Sequence, residues 1–138
     1  MDEAILDSDI LSEVLKGKNS HVAAKARTYL AQHGRLAFSA ITYYEILRGI
    51  QANRATRLMQ SFQQTTAGAD LLPISVPVLE RAAQLWVSAN AGGHPRGDAD
   101  LIIAATALEA QRVLVTGNTA HFSWITGLRL ADWRSAKP

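Results

Sequence analysis

The chain has 138 residues, 48% of them hydrophobic and 19% charged, which is the length of one domain and the composition of a folded one rather than of a disordered tail. It contains no cysteine, so disulfides, a thiolate nucleophile and a cysteine-built zinc site are excluded. Its net charge of +2 is weak evidence for nucleic acid by itself.

In chain order, Glu3 to Asp7 reads as a short buried strand. Ser8 or Asp9 is then the expected N-cap of a helix with Ile10, Leu11, Val14 and Leu15 on one face, ended by Gly17. A second helix is expected from Asn19 or Ser20 to Gly34, and a strand from Leu36 to Ser39. The pattern predicts helices over Thr42 to Ile50 and Arg54 to Thr65, then a strand over Leu71 to Ser75. Pro77 suits the first turn of a helix that continues through Trp86 and Ala89, with Trp86 in the core. Ala91 to Gly97 is the clearest loop. A helix from Asp98 or Ala99 to Ala110 and a buried strand from Arg112 to Thr116 follow. Gly117 and Asn118 make a turn, His121 and Phe122 fall in a short helix or turn, and Leu128 to Leu130 is the last expected strand.

Short apolar strands alternating with helices predict an α/β fold, with a mostly parallel sheet covered on both faces. Residues 1–138 are expected to form a single domain. The start, Met1-Asp2-Glu3-Ala4, lacks the basic region of a signal peptide, and no apolar run approaches the roughly 20 residues that span a bilayer. A cytoplasmic location without membrane contact is the expectation.

The chemistry lies in acids at the ends of apolar segments. Asp7 ends Ala4-Ile5-Leu6, Glu45 stands among Tyr44, Ile46 and Leu47, and Asp98 and Asp100 open the apolar helix that begins at Leu101. Carboxylates beside a core are costly unless they are paired or bind a cation. Each also has a plainer role. Asp7 could cap a helix, Glu45 could pair with Arg48 on a solvated face, and Asp98 and Asp100 could complement a helix dipole. With Ser8 and Asp9 available as caps, Asp7 looks redundant in that role. Clustered acids repel, and a divalent cation removes the conflict; oxygen-only ligands favour Mg²⁺ or Mn²⁺, which suits phosphate chemistry. Asp7 and Asn118 both fall at predicted strand ends, where parallel sheets bind ligands. The four histidines show no ligand spacing and read as surface or core residues. Trp124 and Trp133 read as packing of the C-terminal segment, and Arg96 as a possible phosphate contact.

Four segments in order, Ile5 to Leu11, Thr42 to Gly49, Gly97 to Ala107 and Leu114 to Asn118, followed by His121-Phe122, Gly127-Leu128 and Trp133, resemble the PIN-domain ribonucleases and, within them, the VapC toxins of toxin–antitoxin pairs. The resemblance covers essentially the whole chain. It implies a PIN-like three-layer sandwich and a Mg²⁺- or Mn²⁺-dependent endoribonuclease. It also implies an RNA substrate, a small VapB-like antitoxin partner in the active-site groove and a homodimer. It carries catalytic and metal-binding roles onto Asp7, Glu45 and Asp100. Asp9 stands where the family commonly has Asn, and Asn118 stands where many members carry a fourth acid. Asp98 or Asp9 is then the residue to supply the missing charge, and Asp98 joins Asp7 and Asp100 as an expected metal ligand.

Two other functions stay open at this point. Asp7-Ser8-Asp9 also looks like the Asp-x-Asp of haloacid-dehalogenase-type phosphatases, although no suitable Lys follows and the late acids open a helix. A PIN-like fold with little cleavage, acting as an RNA- or partner-binding module, is the other alternative.

Overall fold

Three consecutive apolar residues, Ala4–Leu6, form β1, and all three are buried. Their side chains alternate between two cores, as a strand requires. Leu6 joins a cluster with Ile10, Leu11, Val22 and Tyr29, whereas Ile5 joins Ile103, Ala104, Ala107 and Leu114 on the other face. The computed structural model describes residues 1–135. The last residues of the expected 1–138 unit therefore lie outside the described part.

The elements after β1 are α1 (Ser8–Lys16), α2 (Ser20–His33), β2 (Ala37–Ser39), α3 (Ala40–Ala52), α4 (Thr56–Ala67) and β3 (Asp70–Leu72). They continue as α5 (Val76–Ala91), α6 (Asp98–Ala110), β4 (Val113–Val115), α7 (Thr119–Phe122) and β5 (Leu130–Ala131). Every strand ladder is parallel: β1 pairs with β4 in the register Ala4–Val113, β4 with β5, and β2 with β3. The two ladders adjoin where β1 lies beside β2. The spatial order is thus β3-β2-β1-β4-β5, and helices cover both faces in a three-layer α/β sandwich.

This order positions the site. From β1 the chain first moves outward through β2 and β3, then returns to the other side of β1 for β4 and β5. The reversal puts the switch point of the sheet at the carboxyl ends of β1 and β4, the usual ligand position in such sheets. Asp7 follows β1 and Thr116-Gly117-Asn118 follows β4, so both arrive at that edge. α6 packs on the sheet and feeds directly into β4, so its N-terminus points to the same edge. α6 is apolar nearly all round, with Leu101, Ile103, Ala104, Ala105, Thr106 and Ala107 buried, as expected for a helix enclosed between a sheet and α5.

Several boundaries differ from the sequence expectation. α3 begins at Ala40, because Ser39 caps it by accepting from the Ile41 N–H at 3.2 Å. β3 is Asp70–Leu72 rather than 71–75: Pro73 has no N–H to extend the ladder, and Ser75 is used as the cap of α5. The last strand is Leu130–Ala131, shifted towards the C-terminus. β3 is also not wholly buried, since Leu71 is exposed on this edge strand. Trp86, placed in the core by helical spacing, is 50% exposed. Among the described residues, no helix is long and apolar enough to cross a membrane.

Candidate active site at the strand ends

Asp7 is the cap of α1, in place of the expected Ser8 or Asp9. Its backbone is extended, and its Oδ1 accepts from the Ile10 N–H at 2.9 Å. It is also fixed to the sheet, because its own N–H donates to the Val115 carbonyl at 2.9 Å. The capping role does not exhaust it. The side chain is buried, and burial raises its pKa from 3.8 to about 6, against the lowering effects of the Thr116 hydroxyl and the Ile10 N–H. Asp9 adds repulsion, and the positive charge of Arg134 partly offsets it. A carboxylate that stays costly after its hydrogen bonds are counted is a carboxylate suited to a cation.

Thr116, fully buried, follows β4. Its hydroxyl lies near enough to the Asp7 carboxylate to lower its pKa, and its oxygen accepts from the Asn118 N–H at 3.1 Å. Asn118 itself is exposed at the start of α7 and makes no side-chain capping bond.

Glu45 comes from α3 to the start of α1. Ser8, next to Asp7, donates to Glu45 Oε1 at 2.7 Å and shares a 3.2 Å hydroxyl contact with buried Thr42. Glu45 does not pair with Arg48; the Arg48 guanidinium instead lies over the Tyr44 ring, 5.1 Å from its centroid.

Asp98 and Asp100 occupy the first turn of α6 after Gly97, which supplies no side-chain cap. Asp100 is half-exposed and its Oδ2 lies 2.9 Å from His121 Nε2. Asp98 is exposed and lines a groove between α5 and α6, beside Leu101 and Ile102. Arg96 does not point to solvent as a free phosphate contact: its Nε donates to the His121 carbonyl at 3.1 Å, and Trp124 Nε1 donates to the same oxygen at 2.9 Å.

The structure therefore brings Glu45 onto Ser8, the chain neighbour of Asp7, and sets Thr116 beside both Asp7 and Asn118. Asp100 is tied to His121 on the adjoining edge. Among the described residues, no three His, Cys, Asp or Glu side chains form a ready-made metal cage. That is compatible with Mg²⁺, which is commonly held by one or two carboxylates and keeps several waters. The donors are all oxygens, and the buried Asp7 charge gives a cation something to offset, so the residues fit such an ion.

Ser8, Thr116, His121 and Arg134 belong to the site, and sequence reasoning does not assign them to it. Ser8 reads from sequence as a helix cap. His121 is 21 positions from Asp100, and no periodicity connects them. The acids at the start of α6 follow a loop rather than a strand, which removes the main support for a phosphatase of the haloacid-dehalogenase kind.

Known proteins resemble this chain in sequence and fold. The chain is 31% identical over 136 residues to "Ribonuclease VapC1" of Haemophilus influenzae strain R2866, with 94% of this chain and 96% of that protein covered. The crystal structure of VapBC-1 from nontypeable Haemophilus influenzae superposes with a TM-score of 0.82 at 26% identity, covering 96% of this chain and 98% of that one. VapBC2 from Rickettsia felis, solved bound to a DNA fragment from its promoter, gives a TM-score of 0.84 at 21% identity, with 94% and 98% covered, and speaks for the fold. The family pattern of the PIN domain matches residues 4–125, and this chain belongs to the PIN-domain family.

Proposed function

We propose that this protein is a divalent-cation-dependent endoribonuclease and the toxin of a toxin–antitoxin pair. The observation that carries the reading is the buried Asp7 carboxylate at the carboxyl end of β1, with Glu45 hydrogen-bonded to the hydroxyl of Ser8, the next residue in the chain. The match to a protein named as a VapC ribonuclease over nearly its full length supports the same chemistry.

Asp7 and Asp100 would hold Mg²⁺ or Mn²⁺, with Asp98 as the further acid on the same turn. When bound, the cation supplies positive charge to the phosphoryl oxygens and lowers the pKa of a water in its shell. Glu45, held by Ser8, orients the attacking water and accepts its proton. Asn118 presents an amide at the strand end, where a carboxylate would add a further negative charge. His121 holds the Asp100 carboxylate in place.

The solved relatives are described as VapBC complexes, which supports a small VapB-like antitoxin as partner. We further propose that residues 1–138 act as one domain, in the cytoplasm, as a homodimer. The exposed apolar residues Val76, Leu79, Trp86 and Val87 along α5 support self-association.

The test is cleavage of labelled total RNA with Mg²⁺, with Mn²⁺ and with EDTA, beside Asp7→Asn and Asp100→Asn. Discrete cuts that need the cation and vanish in both variants are expected. Equal cleavage by the variants would overturn the reading. RNA binding without cleavage would favour the binding module instead.

A further inference from the structure

We propose that Arg134 is a phosphate-binding arm of this site, held flat across Gly117 so that its guanidinium meets the RNA backbone beside the reaction centre. The proposal rests on the ribonuclease reading and goes beyond its acidic residues.

The position of Arg134 is set by packing. Trp133 is buried and lies against Tyr29, with 5.8 Å between ring centroids. The Thr116 N–H donates to the Ala131 carbonyl at 2.9 Å, and the Arg134 N–H donates to Asp132 Oδ1 at 2.9 Å. The chain thus leaves β5 alongside the carboxyl end of β4, at the edge that Asp7 occupies.

Gly117 then explains where the side chain goes. It is not among the positive-φ glycines, so its backbone does not demand glycine. A Cβ at this position would instead fall inside the Arg134 guanidinium. The bare backbone is the surface on which the guanidinium lies.

The ion pair with Glu13 is close but incomplete. Arg134 Nε is 2.9 Å from Glu13 Oε1, yet among the described residues that nitrogen makes no aligned hydrogen bond, and Glu13 Oε2 has no partner. The side chain also keeps 36% exposure. With Nε facing Glu13, neither terminal nitrogen is engaged by a hydrogen bond among the described residues, and both can meet a ligand. A guanidinium presents a planar fork that matches phosphate, and it stays charged at every relevant pH.

The charges nearby give this cation a purpose. Asp7, Asp9, Glu13 and Asp132 surround it or feel its charge. An acidic site repels a phosphodiester, and a fixed positive group on its rim offsets that repulsion where the backbone must approach.

The experiment is fluorescence anisotropy of a labelled oligouridylate across a salt series, in EDTA so that nothing is cut. Arg134→Gln is expected to weaken binding about tenfold. It is also expected to flatten the log–log salt dependence by about 0.7, the value for one fewer phosphate neutralised on a single strand. Arg134→Lys should keep the salt slope and lose only part of the affinity. Gly117→Ala should mimic Arg134→Gln, because it displaces the guanidinium and leaves its charge in the chain. Melting curves establish that the variants compared are folded. Wild-type affinity and slope in folded Arg134→Gln, or in folded Gly117→Ala, would overturn the proposal while leaving the ribonuclease reading intact. No binding and no cleavage by the wild-type protein would overturn both.

Discussion

Asp7 serves as a helix cap and as a charge held out of water, and the two roles respond differently to substitution. Burial raises its pKa from 3.8 to about 6, so between those values the folded state holds the proton more tightly than the unfolded chain does. Stability attributable to Asp7 therefore falls as pH rises through that window, and the full cost is present above it. Asp7→Asn keeps the cap and removes the charge. It should abolish cleavage, raise the melting temperature at pH 8 by the equivalent of up to about 3 kcal/mol, and leave it nearly unchanged near pH 4. Thermal melts at the two pH values with Mg²⁺ absent check this. Ser8→Ala removes the hydroxyl that donates to Glu45. It should lower kcat about tenfold with a smaller effect on KM, since it frees the orientation of Glu45 and leaves the phosphate contacts alone. Steady-state cleavage of a defined RNA separates the two parameters. At this scale the acids themselves are legible in the sequence, because a carboxylate next to an apolar run is costly and conspicuous. Their partners are not. Ser8, Thr116 and His121 are ordinary residues in ordinary positions, and only the fold brings each to its carboxylate.

At the scale of elements, α6 carries the tightest constraint. Ala104 and Ala105 are fully buried, between the sheet on one side and α5 on the other. Ala104→Leu would force the helix away from Ile5 and Leu114, at a cost of about 1–3 kcal/mol. Because α6 also presents Asp100, the same variant should lose activity beyond what its stability predicts; a urea titration and a cleavage assay at low temperature measure the two effects. The helices and the central strands can be read from apolar periodicity and from caps such as Asn19 and Ser75. The bounds of β3 and β5 cannot, because edge strands need not be apolar, and β3 in particular has an exposed Leu71 and begins at Asp70, which pairs with Arg35. The start of α1 escapes sequence reading for a related reason. Asp7, Ser8 and Asp9 are all good caps, and the choice among them depends on where β4 holds the backbone.

For the whole molecule, the exposed apolar side of α5 is the surface on which the homodimer proposal rests. Val76, Leu79, Trp86 and Val87 lie along it, and with α6 it forms a groove of about 440 Å³. Helical spacing marks Trp86 as facing apolar company, but spacing does not say whether that company is the same chain's core or another chain. Under the homodimer proposal, Trp86→Lys should shift the protein from dimer to monomer in sedimentation velocity at micromolar concentration, without changing its circular dichroism. A wild-type protein that sediments as a monomer would rule the homodimer out. The parallel order β3-β2-β1-β4-β5 is foreseeable as a class from alternating strands and helices. The switch point at its reversal is not, since it depends on which side of β1 each later strand takes.

The buried Asp7 also bears on how such a protein would lose its activity under selection. A population that survives its own toxin by mutation has many ways to unfold it and few ways to disarm it gently. Substitution of Asp7 by Asn is one of the few, since it removes the chemistry and relieves the fold together. Survivors with this change should accumulate the inactive protein to higher levels than the parent. They should also continue to bind antitoxin, which would leave less of it to neutralise a functional copy in the same cell.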